Sequence, residues 1–262
     1  MIVFSDLDRS IIYSKRFLKD DTTKLEIEIY NGENISYISK ETVELIKKIK
    51  QNSYFIPTTT RTIEQFKRIS FSKYGLDFKY AVTSNGGNIL VNGEVDKEYK
   101  LLIKEKLKLS SHIKDIIKLL ENYKSIKGIK KIRKAEELFL YIVIDRDTFD
   151  FKLLQPFIDE IKKLNWDTYI NGTKIYFLPA ELKKSTAVKY LCNKLQHKDT
   201  FAIGDSIMDK DMLDVCKNSY VLKHGELSNL IDNNCDNLSI STRQSFNGTE
   251  EILNKIILCQ IK

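Results

Sequence analysis

The sequence predicts an α/β fold: a doubly wound, mostly parallel, Rossmann-like core sheet carrying an inserted α+β domain of order αββαββ. Three observations predict it. Short apolar runs without polar alternation recur toward both ends of the chain. Apolar residues at helical spacing lie between several of them, and the middle segment runs helix–strand–strand twice.

The apolar runs are residues 2–5, 54–57, 80–83, 201–203 and 220–222, each ending in a polar or glycine-containing turn. Continuous apolarity fits strands buried on both faces, as in a parallel sheet. Val43, Ile46 and Ile49 mark one intervening helix; Ala187, Leu191 and Leu195 mark another, with Ser185 or Thr186 near its start. Residues 25–30 and 35–38 around Asn31-Gly32 form a small hairpin. In the middle, Ile113, Ile116, Ile117 and Leu120 share a helix face, with Ser110-Ser111 where an N-cap belongs. A weak strand near residues 126–132 and a strong one at 138–145 follow. A second helix carries Leu154, Phe157, Ile158 and Ile161 on one face, and a hairpin around Asn171-Gly172 closes the block. The expected division is a discontinuous core of residues 1–95 and 181–262, with residues 96–180 inserted.

At 262 residues the chain suits one large α/β unit or a core carrying a smaller second domain, and its 42% hydrophobic content is enough for a buried core. The longest apolar runs fall far short of the roughly 20 residues a bilayer span requires, so no membrane partner is expected. The chain enters a strand at once, without a secretion signal, and a cytoplasmic location follows by default. Cys192, Cys216, Cys235 and Cys259 form no CxxC pair. His112, His197 and His224 are equally scattered, which leaves little material for a histidine metal site or a Ser-His-Asp triad. The net charge of +7 is uneven: residues 97–134 hold 13 Lys and Arg against 4 Asp and Glu. That stretch reads as a solvated lysine face ahead of a nucleic-acid surface, since no aromatic interleaving or nucleic-acid motif accompanies it.

The sharpest chemical feature is Asp6-Leu7-Asp8-Arg9-Ser10, directly after the first strand. Ligands of open α/β sheets sit beyond the carboxyl ends of strands. Two carboxylates at 4 Å repel by about 4 kcal/mol at an effective dielectric of 20, a cost that a divalent cation removes. Taken alone, the pair could equally cap a turn. Asp205 and Asp209, in Gly204-Asp205-Ser206-Ile207-Met208-Asp209, follow another apolar strand and are expected at the same rim. All-oxygen ligation suits Mg²⁺ better than zinc. Lys184 opens a helix shortly before that strand, and Thr59 and Arg61 end the second one; hydroxyl and cationic groups are what a phosphate dianion needs.

Order and spacing resemble the haloacid dehalogenase-like phosphatase superfamily, specifically its type IIB group of Cof-like and sucrose-phosphate-phosphatase-like enzymes. Asp6–Ser10 is similar to the DxDx[TS] motif, Thr59-Thr60-Arg61 to T-G-R, and Gly204–Asp209 to GDxxxD. Lys184 matches the motif-three lysine, with Lys183 an off-by-one alternative. Ser84-Asn85-Gly86-Gly87 is similar to the S-N-G-A turn before the type IIB cap, and the αββαββ block lies where that cap belongs. Arg9, Thr60 and Met208 depart from the family's usual Gly, Gly and Asn.

The resemblance implies Asp6 as nucleophile and Asp8 as acid/base. It implies Mg²⁺ held by Asp6, the Asp8 carbonyl and Asp205, with Asp209 ordering a ligand water. Thr59 and Lys184 would hold phosphoryl oxygens, while Arg9, Arg61 and Asn85 are substrate-binding candidates. The implied partner is a small phosphorylated metabolite, a sugar phosphate first. A phosphosugar mutase is the nearest alternative, and a non-catalytic module binding nucleic acid or a protein through the lysine-rich segment is the alternative from another class.

Overall fold

A computed structural model describes residues 1–18, 24–230 and 237–260, so Cys235 lies outside the described residues. The chain forms two compact units, Met1–Asp96 with Lys184–Lys262, and Lys97–Lys183.

The first unit opens with β1 (Ile2–Ser5), followed by the hairpin β2 (Lys24–Tyr30) and β3 (Glu33–Ser39). Asn31 and Gly32 turn it at φ 51° and 81°, the left-handed pair that an Asn-Gly turn supplies cheaply. Helix α1 (Lys40–Lys50) starts on Ser39, whose hydroxyl accepts from the Thr42 amide at 2.9 Å, and buries Val43, Ile46 and Ile49. Then come β4 (Tyr54–Pro57), α2 (Ile63–Lys67), β5 (Tyr80–Thr83), β6 (Asn88–Val91) and β7 (Glu94–Val95).

The second unit contains α3 (Lys97–Leu107), α4 (Ile113–Leu120), β8 (Ile129–Ala135), β9 (Phe139–Ile144), α5 (Phe151–Lys163), β10 (Trp166–Asn171) and β11 (Lys174–Pro179). Its antiparallel sheet has the order β10-β11-β9-β8. Ile116 and Leu120 of α4 and Leu154, Phe157 and Ile161 of α5 form one core with Ile142, Ile175 and Phe177 of the sheet. Helix α3 was not expected from the sequence; it buries only Tyr99 and Ile103, too sparse a stripe to register as helical periodicity. The expected cap of α4 is displaced by one residue. His112 Nδ1 accepts from the Lys114 amide at 3.2 Å, whereas Ser110 donates its hydroxyl to the Asn165 carbonyl and the Ser111 carbonyl accepts from Trp166 Nε1. The lysine-rich stretch is mostly exposed and laced with local pairs such as Lys108–Glu105 and Lys124–Glu121. Pairs of this kind contribute a few tenths of a kcal/mol each.

The chain returns to the first unit through α6 (Lys184–Leu195), β12 (Thr200–Gly204), α7 (Lys210–Val215), β13 (Asn218–Val221), β14 (Leu238–Ile240) and α8 (Ser245–Gln260). The core sheet is parallel, in the order β14-β13-β12-β1-β4. Residues 80–83, expected in that sheet, instead pair antiparallel with β6 and meet the residue after β4 through a parallel bridge, Thr58 to Val82. Among the described residues no helix is long and apolar enough to cross a membrane.

What matters for function is the centre of this sheet. The chain leaves β1 toward β4 on one side and β12 on the other, so β1 lies at the point where strand order reverses. Ser5 is in register with both Pro57 and Ile203. The residues just after all three strands therefore share one rim.

Candidate active site

The rim is continued by hydrogen bonds: the Asp6 amide donates to the Ile203 carbonyl at 2.9 Å, and the Thr58 amide to the Ser5 carbonyl at 2.7 Å. Beyond Asp6 the chain turns tightly, with the amides of Ser10, Ile11 and Ile12 all donating to the Leu7 carbonyl. Arg9 sits in that turn at φ 65°. The left-handed region costs an ordinary residue about 1–2 kcal/mol, a strain that glycine would not carry. In this chain the side chain offsets the strain. Its guanidinium donates to the His224 carbonyl at 2.8 Å and lies over the Phe17 ring, while His224 Nε2 donates back to the Arg9 carbonyl at 2.8 Å. His224 Nδ1 accepts from the Ser245 amide at 3.1 Å, which fixes Nε2 as the protonated nitrogen.

Lys184 is the hub of the site. It is fully buried, and its ammonium lies 2.7 Å from Asp6 Oδ1 and 2.6 Å from Asp209 Oδ1. The Asp211 carboxylate accepts from the Ser185 amide at 2.7 Å and so anchors the first turn of α6 that aims this lysine. Lys183 is exposed. Asp209 is held as firmly: its Oδ2 accepts from the amides of Asp205 and Ser206 at 3.0 Å and from the Ser206 hydroxyl at 3.1 Å. Gly204 has to be glycine for this clamp, since a Cβ there would stand 2.5 Å from that of Asp209.

Asp205 completes the cluster. Carboxylate oxygens of Asp6, Asp205 and Asp209 lie within 4.8 Å of one another, and all three residues are buried. Among the described residues Asp205 Oδ2 has no hydrogen-bond partner; it faces Arg9 Nε at 3.4 Å as an ion pair. Burial pushes the Asp6 carboxyl up to about 7, with Lys184 pulling down and Asp209 and Asp8 pushing up. Burial, then Asp209 and Asp6, holds Asp205 well above the usual carboxylate range. Burial alone would lower the Lys184 pKa, but Asp209 and Asp6 keep it above an ordinary lysine. Three buried carboxylates, one with an oxygen that accepts no hydrogen bond, make an oxygen-only donor set that fits a small hard cation such as Mg²⁺.

The Asp8 carboxylate is outside this cluster. Its side chain is 53% exposed and is gripped by Nε and Nη2 of Arg61, at 2.6 and 2.7 Å. Arg61 is in turn held by Glu28 Oε1 at 2.8 Å. Thr59 is buried: its hydroxyl accepts from the Arg61 amide at 3.1 Å and its carbonyl from the Asn85 amide at 3.0 Å. Asn85, at φ 56° in the turn between β5 and β6, is buried beside it, and Thr60 donates to its Oδ1 at 3.4 Å. Sequence reading missed Glu28, His224 and Ser206. Only Ser206 left a signal, as a hydroxyl inside the Gly204–Asp209 motif.

A sequence model of the family described as haloacid dehalogenase-like hydrolase matches residues 29–176 and 124–248. The chain belongs to the haloacid dehalogenase-like hydrolases. Solved structures agree on the fold. The chain is 14% identical to the sucrose-phosphatase of Synechocystis, determined with sucrose and phosphate; 99% of this chain and 98% of that one are covered, at a TM-score of 0.71. A subclass IIB sugar phosphatase of the superfamily is 12% identical over 100% and 99% of the two chains, with a TM-score of 0.64. A trehalose-6-phosphate phosphatase related protein is 15% identical over 100% and 99%, with a TM-score of 0.58. No curated protein sequence matches. As a haloacid dehalogenase-like hydrolase, the chain carries its buried acidic cluster at the strand rim where such a sheet binds ligands.

Proposed function

We propose that this protein is a Mg²⁺-dependent phosphatase of small phosphate monoesters, sugar phosphates first, working through an aspartyl-phosphate on Asp6. The observation that carries this reading is the buried cluster of Asp6, Asp205 and Asp209 joined by Lys184. Lys184 bridges Asp6 and Asp209 while Asp205 faces Arg9 at 3.4 Å, so buried carboxylates and cations stand together where a metal ion and a transferring phosphoryl group need them. Sugar phosphates are favoured because the solved structures it resembles include sucrose-phosphatase and a sugar phosphatase. The unit of residues 97–183 is read as the subclass IIB cap and as the source of substrate choice.

In the first step an Asp6 oxygen bonds to phosphorus, the phosphorus–oxygen ester bond breaks, and Asp8 gives its proton to the leaving oxygen. Lys184 holds the other Asp6 oxygen and so fixes the direction of attack. In the second step water bonds to phosphorus, the Asp6–phosphorus link breaks, and Asp8 takes the water proton. Asp6 and Asp205 would hold Mg²⁺ with the Asp8 carbonyl, and Asp209 would order a ligand water. The ion supplies charge neutralisation for the phosphoryl oxygens. Thr59 is assigned to a phosphoryl oxygen and Asn85 to the substrate side of the rim. Arg9 and Arg61 are assigned to the substrate side of the rim as well, where Arg9 faces Asp205 and Arg61 grips Asp8.

The test is release of inorganic phosphate from a panel of sugar phosphates. Turnover is expected with Mg²⁺, none after EDTA treatment, and recovery when Mg²⁺ is returned. Turnover that survives chelation and dialysis contradicts the metal assignment. An isomeric sugar phosphate in place of free phosphate identifies a mutase.

A further inference from the structure

A buried carboxylate on the β2–β3 hairpin, Glu28, has no part in the mechanism above, yet its bonds lead directly to Asp8. Glu28 is 1% exposed. Its Oε1 accepts from Arg61 Nη1 and Arg68 Nε, both at 2.8 Å, and its Oε2 from the Ser36 hydroxyl at 2.6 Å. Burial alone would raise its pKa, but Arg61, Ser36 and Arg68 hold it below the usual carboxylate range. The ladder is irregular on both sides of Glu28, which buries Ile27 and Glu28 in succession and leaves Ile29 59% exposed. A bulge that turns a charge inward and an isoleucine outward re-aims a side chain, a common use of bulges beside active sites.

Arg61 is the link. Its side chain is only 12% exposed, and it uses one arm toward Glu28 while Nε and Nη2 grip both oxygens of Asp8. A bidentate guanidinium fixes a carboxylate in one plane and favours its ionised form. Two acids and two arginines alternate along this chain, so removing the Glu28 charge leaves Arg61 and Arg68 repelling each other in a half-buried place.

We propose that Glu28 is a positioning residue for the second half-reaction: through Arg61 it holds Asp8 as the oriented carboxylate that takes a proton from the water attacking the aspartyl-phosphate. This rests on the phosphatase reading above. With a leaving group that needs no acid, the hairpin then acts in turnover of the phosphoenzyme and not in its formation.

The experiment uses nitrophenyl phosphate, whose leaving group needs no acid, with full-length protein and Mg²⁺. For Glu28→Gln, kcat is expected to fall about 10- to 100-fold, part of the 10² to 10⁴ that a positioned base contributes, while kcat/KM changes little and KM falls with kcat. Rapid mixing should then give a burst of nitrophenol equal to the enzyme present, and acid-quenched protein should carry phosphate on Asp6. Glu28→Asp, which keeps the charge, should recover part of kcat. A purely structural role lowers kcat and kcat/KM together without a burst, and that result overturns the proposal. If Glu28→Gln does not fold, Arg61→Lys, which keeps a cation but loses the fork, carries the same expectations and the same refutation. A wild-type protein that releases no phosphate from any ester sinks the phosphatase reading itself, an outcome distinct from failure of the Glu28 assignment alone.

Discussion

Replacing Asp6 by Asn is expected to abolish Mg²⁺-dependent phosphate release while leaving the fold intact. Asn keeps the volume of the side chain and can still accept from Lys184 at the position of Oδ1, now 2.7 Å away. It cannot form an acyl phosphate, so the loss is chemical, not architectural. Removing the nucleophile from a cooperating group typically costs on the order of 10⁶ in kcat. The measurement pairs phosphate release with thermal melting, so that a folded, inactive protein is told from an unfolded one. A folded Asp6→Asn protein that still turns over within tenfold of wild type removes Asp6 from its role, and with it the aspartyl-phosphate.

That prediction was reachable from the sequence because fully buried parallel strands leave an unmistakable trace. Residues 2–4, 54–57 and 201–203 are apolar throughout, and the polar residues after them have to stand at strand ends. The same trace misplaced residues 80–83. Burial on both faces says nothing about direction, and β5 is as buried in its antiparallel sheet as β4 is in the parallel one. The choice between Lys183 and Lys184 was open to a closer reading. Lys184, Ala187, Val188 and Leu191 share the buried face of α6, and their spacing already separates Lys184 from its neighbour.

The arginine–carboxylate chain was beyond sequence reasoning. Strand alternation around Ile27 puts Glu26 and Glu28 on the solvent side together, and only the bulge reverses Glu28. Arg61, read as a substrate contact, has its fork committed to Asp8 by a partner 33 positions away in sequence. Arg9 shows the converse. Its departure from the family's glycine was plain in the sequence, but the compensation comes from His224, which no local pattern connects to it. In both cases the missing information is tertiary pairing of a charged side chain, which periodicity does not encode.

The second large effect concerns Lys184, and here stability and catalysis fall together. Lys184→Met fills similar volume but removes the ammonium that bridges Asp6 and Asp209. Carboxylate oxygens within 4.8 Å of one another then repel by about 3 kcal/mol at an effective dielectric of 20. Breaking a buried ion pair in proteins costs about 3–5 kcal/mol, which for a chain of this size lowers Tm by roughly 5–10 °C. Activity should be lost as well, since neither Asp6 nor the phosphoryl oxygens keep their cation. The sign of the metal effect makes the case specific. Without its internal cation the acidic cluster should bind Mg²⁺ more tightly, so saturating Mg²⁺ should raise the Tm of Lys184→Met by more than it raises that of the wild type. Melting curves with and without Mg²⁺ decide the matter. Equal Mg²⁺ shifts in the two proteins would mean that lysine and metal do not share the same carboxylates, and the electrostatic account of the site would be wrong at its centre.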